Sequence, residues 1–400
     1  MRVASGGTPL RLALFTDTYA PQVNGVARTL QRLAEVVTAR GGAVRVFTTD
    51  DPEGGDAEHV VRFPGRAFWA YPQLRLAWPP REAVRRAVSD FAPTLVHVAT
   101  EFGVGLAGRR VAHDLGLPLV TSYHTNFTSY AEHYHLGFLA QPGWQYLKWF
   151  HGGAARTFCP THAIRRELEG RGFANVALWS RGVDGARFAP AYRSAALRAQ
   201  LGADNDTVVV GYIGRLALEK GLPVAVEAMR QVMAAHPGRV RFLVGGDGPY
   251  EEAMRAIAPA GTTFLGRLEG TALSEAFASC DLFLFPSTTD TFGNVLLEAM
   301  ASGVPVMGAD VGPTRELLAP GRGWLVPPGD ARALAERIAA VVSDPDAMRE
   351  AAARAFAFAA TQRWEAVWTA LLDDYARVIA DHAASRALPH DISLPDVRQS

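Results

Sequence analysis

Cysteine is nearly absent from this chain: Cys159 and Cys280 are the only two in 400 residues. They lie in different halves, each beside an apolar run, so they make no disulfide framework and read as small buried fillers. Net charge is absent too, with 40 Lys and Arg balanced by 40 Asp and Glu, which argues against wholesale electrostatic binding of nucleic acid. No run approaches the roughly 18 apolar residues needed to cross a bilayer. The opening MRVASGGTPLRLALFTDTY holds no apolar core long enough for a secretory leader, because Arg11 interrupts it. Cytoplasmic residence is expected, with peripheral contact to an anionic membrane open. Residues 1–185 carry 20 basic against 15 acidic side chains, the remainder 20 against 25. Lysine is scarce: Lys148 and Lys220 stand alone among the 40 basic residues. A compact, flexible ammonium in a chain that otherwise uses the planar guanidinium marks those positions.

What is present belongs to a globular enzyme-sized protein. Apolar residues make up 48% and charged ones 20%, and the length suggests two or three domains with ample core. Short apolar runs alternate with helical patterns: Leu10–Phe15, Ala43–Thr48, Leu95–Ala99, Leu117–Tyr123, Val208–Ile213, Arg241–Gly245 and Leu282–Phe285. Runs apolar on both faces and separated by helices predict parallel, doubly wound α/β sheets. The stretch from Arg62 to Pro80, with Phe68, Trp69, Tyr71 and Trp78, reads as irregular. A boundary is expected near residue 185, dividing domains 1–185 and 186–362. Trp364, Val367, Leu371 and Tyr375 recur at helical spacing within 363–382, and 383–400 reads as a loose polar tail.

The most informative run is DLFLFPSTTDTFGNVLLEAMASGVPVMGAD, Asp281 to Asp310. It predicts strand, loop, helix, strand, with Gly293 at the mouth of the helix and Gly303 ending it in a left-handed position. Unpartnered N–H groups make such a mouth an anion site. Asp290 and Glu298 bracket it, and each can accept paired hydrogen bonds from a vicinal diol. Diphosphate at the amides with diols at the acids describes a nucleotide sugar; a loop capping its own helix is the plainer alternative. The run GRLALEKG brings Arg215 and Lys220 to a strand's carboxyl end, where two cations suit a diphosphate. Asp17 and Tyr19 follow the first strand, and Asn24-Gly25 opens a helix. Tyr123, His124 and Asn126 follow the strand Leu117–Tyr123. His124 with His133 and His135 has no zinc spacing. Asp204-x-Asp206 and Asp344-x-Asp346 sit before a strand and at a helix start, where they read as caps and not as metal ligands.

Asp290-x7-Glu298, with Phe292-Gly293 and Glu298 to Gly303 (EAMASG), resembles the E-x7-E signature of the family-four retaining glycosyltransferases; the first acid here is Asp, one methylene shorter. The resemblance implies the GT-B fold: two Rossmann-like domains facing across a cleft, with WSRGVD and FAP near the crossing and helix 363–382 returning onto the first domain. It implies a donor site of Gly25, Arg215, Lys220, Asp247 (in GDGP), Leu268, Phe292, Gly293, Asn294, Val295 and Glu298. It also implies a catalytic set of His124, Arg215, Lys220 and Asp290, and an acceptor side of Asp17, Tyr19, Asn24, Tyr123 and Asn126. The implied chemistry is front-face, metal-independent transfer of mannose or glucose from GDP-mannose or a UDP-hexose to a lipid or saccharide, with no cofactor. The aromatic run 127–150 is either a packed helical hairpin or a surface for a lipid-linked acceptor. A nucleotide-sugar epimerase of the same fold and an inactive nucleotide-sugar binding module remain alternatives.

Overall fold

The computed structural model describes residues 9–387 apart from 23, 53, 56, 69–70, 125–139 and 320. In chain order the strands are β1 (Arg11–Phe15), β2 (Ala43–Thr49), β3 (Val60–Phe63), β4 (Gly65–Phe68), β5 (Tyr71–Ala77), β6 (Leu95–Val98), β7 (Leu119–Ser122), β8 (Arg156–Cys159) and β9 (Val176–Leu178). They continue as β10 (Val208–Ile213), β11 (Val240–Gly245), β12 (Thr262–Gly266), β13 (Leu282–Phe285), β14 (Val306–Ala309) and β15 (Gly323–Val326). Two Rossmann-like sheets result. The first has the order β3-β2-β1-β6-β7-β8-β9 and the second β12-β11-β10-β13-β14-β15. The second is parallel throughout.

The burial pattern explains why these runs become parallel strands. Along β13, Leu282 and Leu284 point into one apolar cluster with Val210, Phe242 and Met229, while Phe283 and Phe285 point into another with Leu243, Leu296 and Leu317. Period-two alternation between two buried faces leaves no polar side for water, so helices must cover both. Each such side chain contributes about 1.5–3 kcal/mol by leaving water.

Compact packing divides the chain into two units. One comprises residues up to Ser122, Phe150–Thr157 and the chain from Trp368; the other comprises Tyr123–Trp149 and Phe158–Val367. Residue 185, where the sequence places the crossing, lies inside the second unit. The last helix, Trp364–Ala387, gives most of its length to the first unit. There Tyr375 Oη lies 2.5 Å from Nδ1 of buried His97, whose Nε2 lies 2.5 Å from Ser122 Oγ.

Two expectations are corrected. The helix does not stop at residue 382: His382 Nε2 and Arg386 reach the Gly116 carbonyl, each at 3.0 Å, and hold it to Ala387. The stretch 62–80 is not irregular. It contains the antiparallel hairpin β4–β5, whose register slips between Ala67 and Phe68, and that slip blurs the alternation by which strands are read.

Candidate active site

In the second sheet β10 and β13 are neighbours, yet the chain runs from β10 toward one edge and from β13 toward the other. Loops leaving such a pair diverge at the carboxyl ends of the strands, and this is where doubly wound sheets bind ligands. Here the two loops meet through one ion pair. Lys220 Nζ donates to Asp290 Oδ1 at 2.8 Å and to Oδ2 at 2.9 Å, with the two side chains 17% and 24% exposed.

The loop after β10 is shaped by backbone packing. Gly246 and Gly248 adopt φ of 122° and 149°, and a Cβ on them would lie 1.9 Å from Gly214 O and 2.4 Å from Leu216 O. Leu216 N donates to Asp247 O at 2.7 Å, and Tyr212 Oη donates to Arg215 O at 2.8 Å. The GDGP turn therefore moulds the segment that presents Arg215. Burial lowers the pKa of the half-buried Arg215 guanidinium, while the charges of Glu219 and Asp247 oppose that shift. Asp247 itself is exposed, and Leu268 packs over Gly245, where a Cβ would stand 2.7 Å from its Cδ1.

The loop after β13 ends at a helix mouth. Gly293 has φ 82° and precedes the helix Asn294–Ala301, which no side chain caps. A Cβ there would lie 2.7 Å from the Phe285 ring, so only glycine lets the turn close. Phe292 is buried in the core and anchors the loop from below. Asn294, Val295 and Glu298 are partly exposed along the first turns. Gly303 closes the helix at φ 77°.

His124, just beyond β7, is 8% exposed. Its carbonyl accepts from Thr291 Oγ1 at 2.7 Å, and its Nδ1 faces an Arg181 guanidinium nitrogen at 2.9 Å. Arg181 is the residue that reading the sequence missed. The signal available was an arginine in the WSRGVD segment; its contact with His124 spans 57 residues and has no local pattern.

Three of the residues expected on the acceptor side are buried. Asp17 is fully buried; its Oδ2 accepts from Thr100 Oγ1 at 2.7 Å and its Oδ1 from Val104 N at 2.9 Å, at the start of the helix Gly103–Asp114. Burial raises its pKa from 3.8 to about 6. Tyr19 is 4% exposed and Tyr123 fully buried, the latter stacked on Trp144 at 6.3 Å. Asn24 is exposed and caps the helix Gly25–Ala39: its Oδ1 accepts from Ala27 N at 2.8 Å and its Nδ2 donates to Thr18 Oγ1 at 2.7 Å. Gly25 is the first residue of that helix.

Asn126 lies outside the described residues, as do His133, His135, Phe127, Tyr130, Tyr134 and Phe138. In the rest of the aromatic run, Trp144 and Leu147 are core while Trp149 is 54% exposed. Among the described residues no three His, Cys, Asp or Glu side chains gather as a metal site. Asp204 closes a turn by accepting from Asp206 N and Thr207 Oγ1, and Asp344 caps the helix Pro345–Thr361.

Known proteins resemble this chain over most of its length. The family described as Glycosyl transferases group 1 matches residues 194–357, and Glycosyltransferase Family 4 matches residues 23–187. A GDP-mannose-dependent alpha-mannosyltransferase of Corynebacterium glutamicum is 31% identical over 383 residues, covering 93% of this chain and 90% of the relative. An alpha-monoglucosyldiacylglycerol synthase of Streptococcus pneumoniae is 28% identical over 312 residues, covering 74% of this chain and 70% of the relative. Among solved structures, sucrose-phosphate synthase from Thermosynechococcus elongatus superposes with a TM-score of 0.74 at 22% identity, covering 93% of this chain and all of the other; at that identity the likeness concerns the fold.

Proposed function

This chain belongs to the family 4 glycosyltransferases, and on that premise we propose that it moves a hexosyl group from a nucleoside-diphosphate sugar to a lipid or saccharide acceptor, with retention and without a metal. The observation that carries the proposal is the Lys220–Asp290 pair at the β10/β13 switch point. Mannose from GDP-mannose is the first donor to test, because the Corynebacterium glutamicum relative is named for it; glucose from a UDP-hexose is the second. The Streptococcus pneumoniae relative, named for a diacylglycerol lipid, supports a lipid acceptor.

Donor binding exchanges partners at the pair. The diphosphate takes Lys220 and Arg215, whose charges stabilise the leaving group as the anomeric C–O bond breaks. It also takes the open amides of the Gly293–Val295 turn. Asp290, released, turns to hydroxyls of the sugar, and Glu298 accepts the ribose diol. Gly25, at the mouth of its own helix, offers amides suited to an anion. Asp247 and Leu268 shape the donor side, Phe292 and Asn294 hold the turn, and Asn24 keeps the acceptor-side role. The acceptor hydroxyl attacks the face the diphosphate leaves, and its proton passes to a departing phosphate oxygen. His124 donates to a sugar hydroxyl. Exposed Trp149 beside Lys148 suits contact with a membrane surface from the cytoplasm; no helix among the described residues is long and apolar enough to cross a membrane.

The test is incubation of the purified chain with GDP-mannose, UDP-glucose, UDP-galactose and UDP-N-acetylglucosamine, with and without membrane extract. One donor should release its nucleoside diphosphate only when acceptor is present, and EDTA should leave the rate intact. Conversion of the donor alone would make the chain an epimerase, and loss of turnover in EDTA would end the metal-free reading.

A further inference from the structure

Among the described residues Arg181 is a buried cation with no carboxylate partner. It is 5% exposed, and its bonds go to the Trp179 carbonyl at 2.8 Å, the Ser180 carbonyl at 3.3 Å and His124 Nδ1 at 2.9 Å, with the guanidinium 5.1 Å from the Trp179 ring. Withdrawing such a charge from water costs several kcal/mol unless its hydrogens are bonded and its charge offset. Burial lowers its pKa to about 10, so it stays charged near neutrality. Among the described residues the other titratable group acting on it, the Cys159 thiol, is pushed by burial to about 12 and brings no negative charge. Carbonyls and an aromatic face could be bonded by a neutral amide, so these partners do not explain the charge.

The remaining partner responds to it, because a cation beside the ring opposes a second proton there. A guanidinium has five donors and no acceptor, so the His124 nitrogen facing it must offer a lone pair, and the ring carries its single proton on Nε2. A proton on Nδ1 would set N–H against N–H across 2.9 Å. The ring is also held in place: Trp179 meets it edge-on at 5.2 Å, and Thr291 fixes its carbonyl. The segment bearing Arg181 is equally constrained, since a Cβ on Gly182 would lie 2.6 Å from Trp364 N. We propose that Arg181 is the positioning residue that holds His124 as a neutral Nε2–H tautomer, making the ring a hydrogen-bond donor to the transferring sugar and excluding it as a general base. The donor role rests on the glycosyl-transfer reading; the tautomer does not.

The experiment is therefore spectroscopic first. The full chain is labelled with 15N-histidine, and two-bond 1H–15N correlations are recorded between about pH 5.5 and about pH 8, across the ordinary histidine range. His124→Gln identifies the His124 signals among the 11 histidines. Nδ1 should stay unprotonated and Nε2 protonated throughout, whereas Arg181→Met should mix the tautomers and let the ring titrate. A wild-type ring protonated on Nδ1, a wild-type ring that titrates in this window, or an unchanged spectrum in Arg181→Met overturns the assignment. Kinetics follow: Arg181→Met should lower kcat about 10- to 100-fold, the scale found when a partner orienting a metal-bound histidine is lost, with donor KM within about twofold. Arg181→Lys, which keeps one donor, should recover part of kcat and the wild-type tautomer; recovery of neither overturns the proposal. Should the Met variant not fold, the wild-type spectrum decides alone. If no nucleotide sugar turns over while the tautomer is as stated, the proposed function fails and the Arg181 assignment stands.

Discussion

The two sheets carry the same topological device and use it in opposite ways. In the first, β1 and β6 flank the switch point, and Asp17 follows β1 there. Its carboxylate is fully buried and bonded to Thr100 and to the first turn of a helix. In the second, β10 and β13 flank it, and Lys220 meets Asp290 with both side chains partly in water. A carboxylate bonded to a backbone amide inside the core is held by partners that a substrate in solution does not readily replace. An ion pair between two partly hydrated side chains can be exchanged for a substrate's anion on one side and its hydroxyls on the other. The lesson is that the candidate site lies where polar groups are paired but still exchangeable.

The sharpest way to break this comparison is to delete the exchangeable cation. Lys220→Ala should lower kcat about 100- to 1,000-fold, the cost of one preorganised donor to a leaving charge, with acceptor KM within about twofold. Steady-state rates at saturating donor decide it, and unchanged turnover would strike Lys220 from catalysis. Asp17→Asn tests the buried carboxylate. Since the folded pKa is raised from 3.8 to about 6, the stability linked to this group is fully present below about 3.8 and is lost as pH rises through about 6, by up to about 3 kcal/mol. The Asn variant lacks that term, so its stability relative to wild type should grow between pH 4 and pH 7 by up to the same amount, read from urea unfolding at each pH. A constant difference would show that the carboxylate is not held as described. Glu298→Gln should weaken nucleotide binding by about 1.5–3 kcal/mol, the scale of charge-assisted bonds, measured calorimetrically. An unchanged dissociation constant would remove the diol contact.

Much of the second site was legible because its signals are local. Pro286 to Thr289 stop a strand, Gly293 opens a helix and Gly303 ends it, each by backbone chemistry that a sequence displays. Lysine scarcity pointed to Lys220. What the sequence did not disclose depends on which way a side chain turns. A carboxylate after a strand reads the same whether it faces a ligand or caps a helix, so Asp17 resembled Asp290 until burial separated them. Tyr123 has the same ambiguity: one residue before His124, it turns into the core against Trp144. Arg181 was hidden by distance along the chain, and the last helix gained five residues because Gly116, far away in sequence, offers its carbonyl to His382 and Arg386.

Asn24 is the position where the two uses overlap, and it carries the smallest expected effect. Its oxygen caps a helix and its amide donates to Thr18, which in turn donates to Gln22 at 2.7 Å. Capping needs only an oxygen, whereas meeting an acceptor hydroxyl oxygen needs the amide donor as well. Asn24→Ala removes both and should cost about 1 kcal/mol of stability. Asn24→Ser restores a capping oxygen but not the amide, so stability should return while the KM for acceptor stays raised. Thermal unfolding and acceptor titration on the same two variants separate the roles, because a purely structural asparagine would let stability and KM recover together.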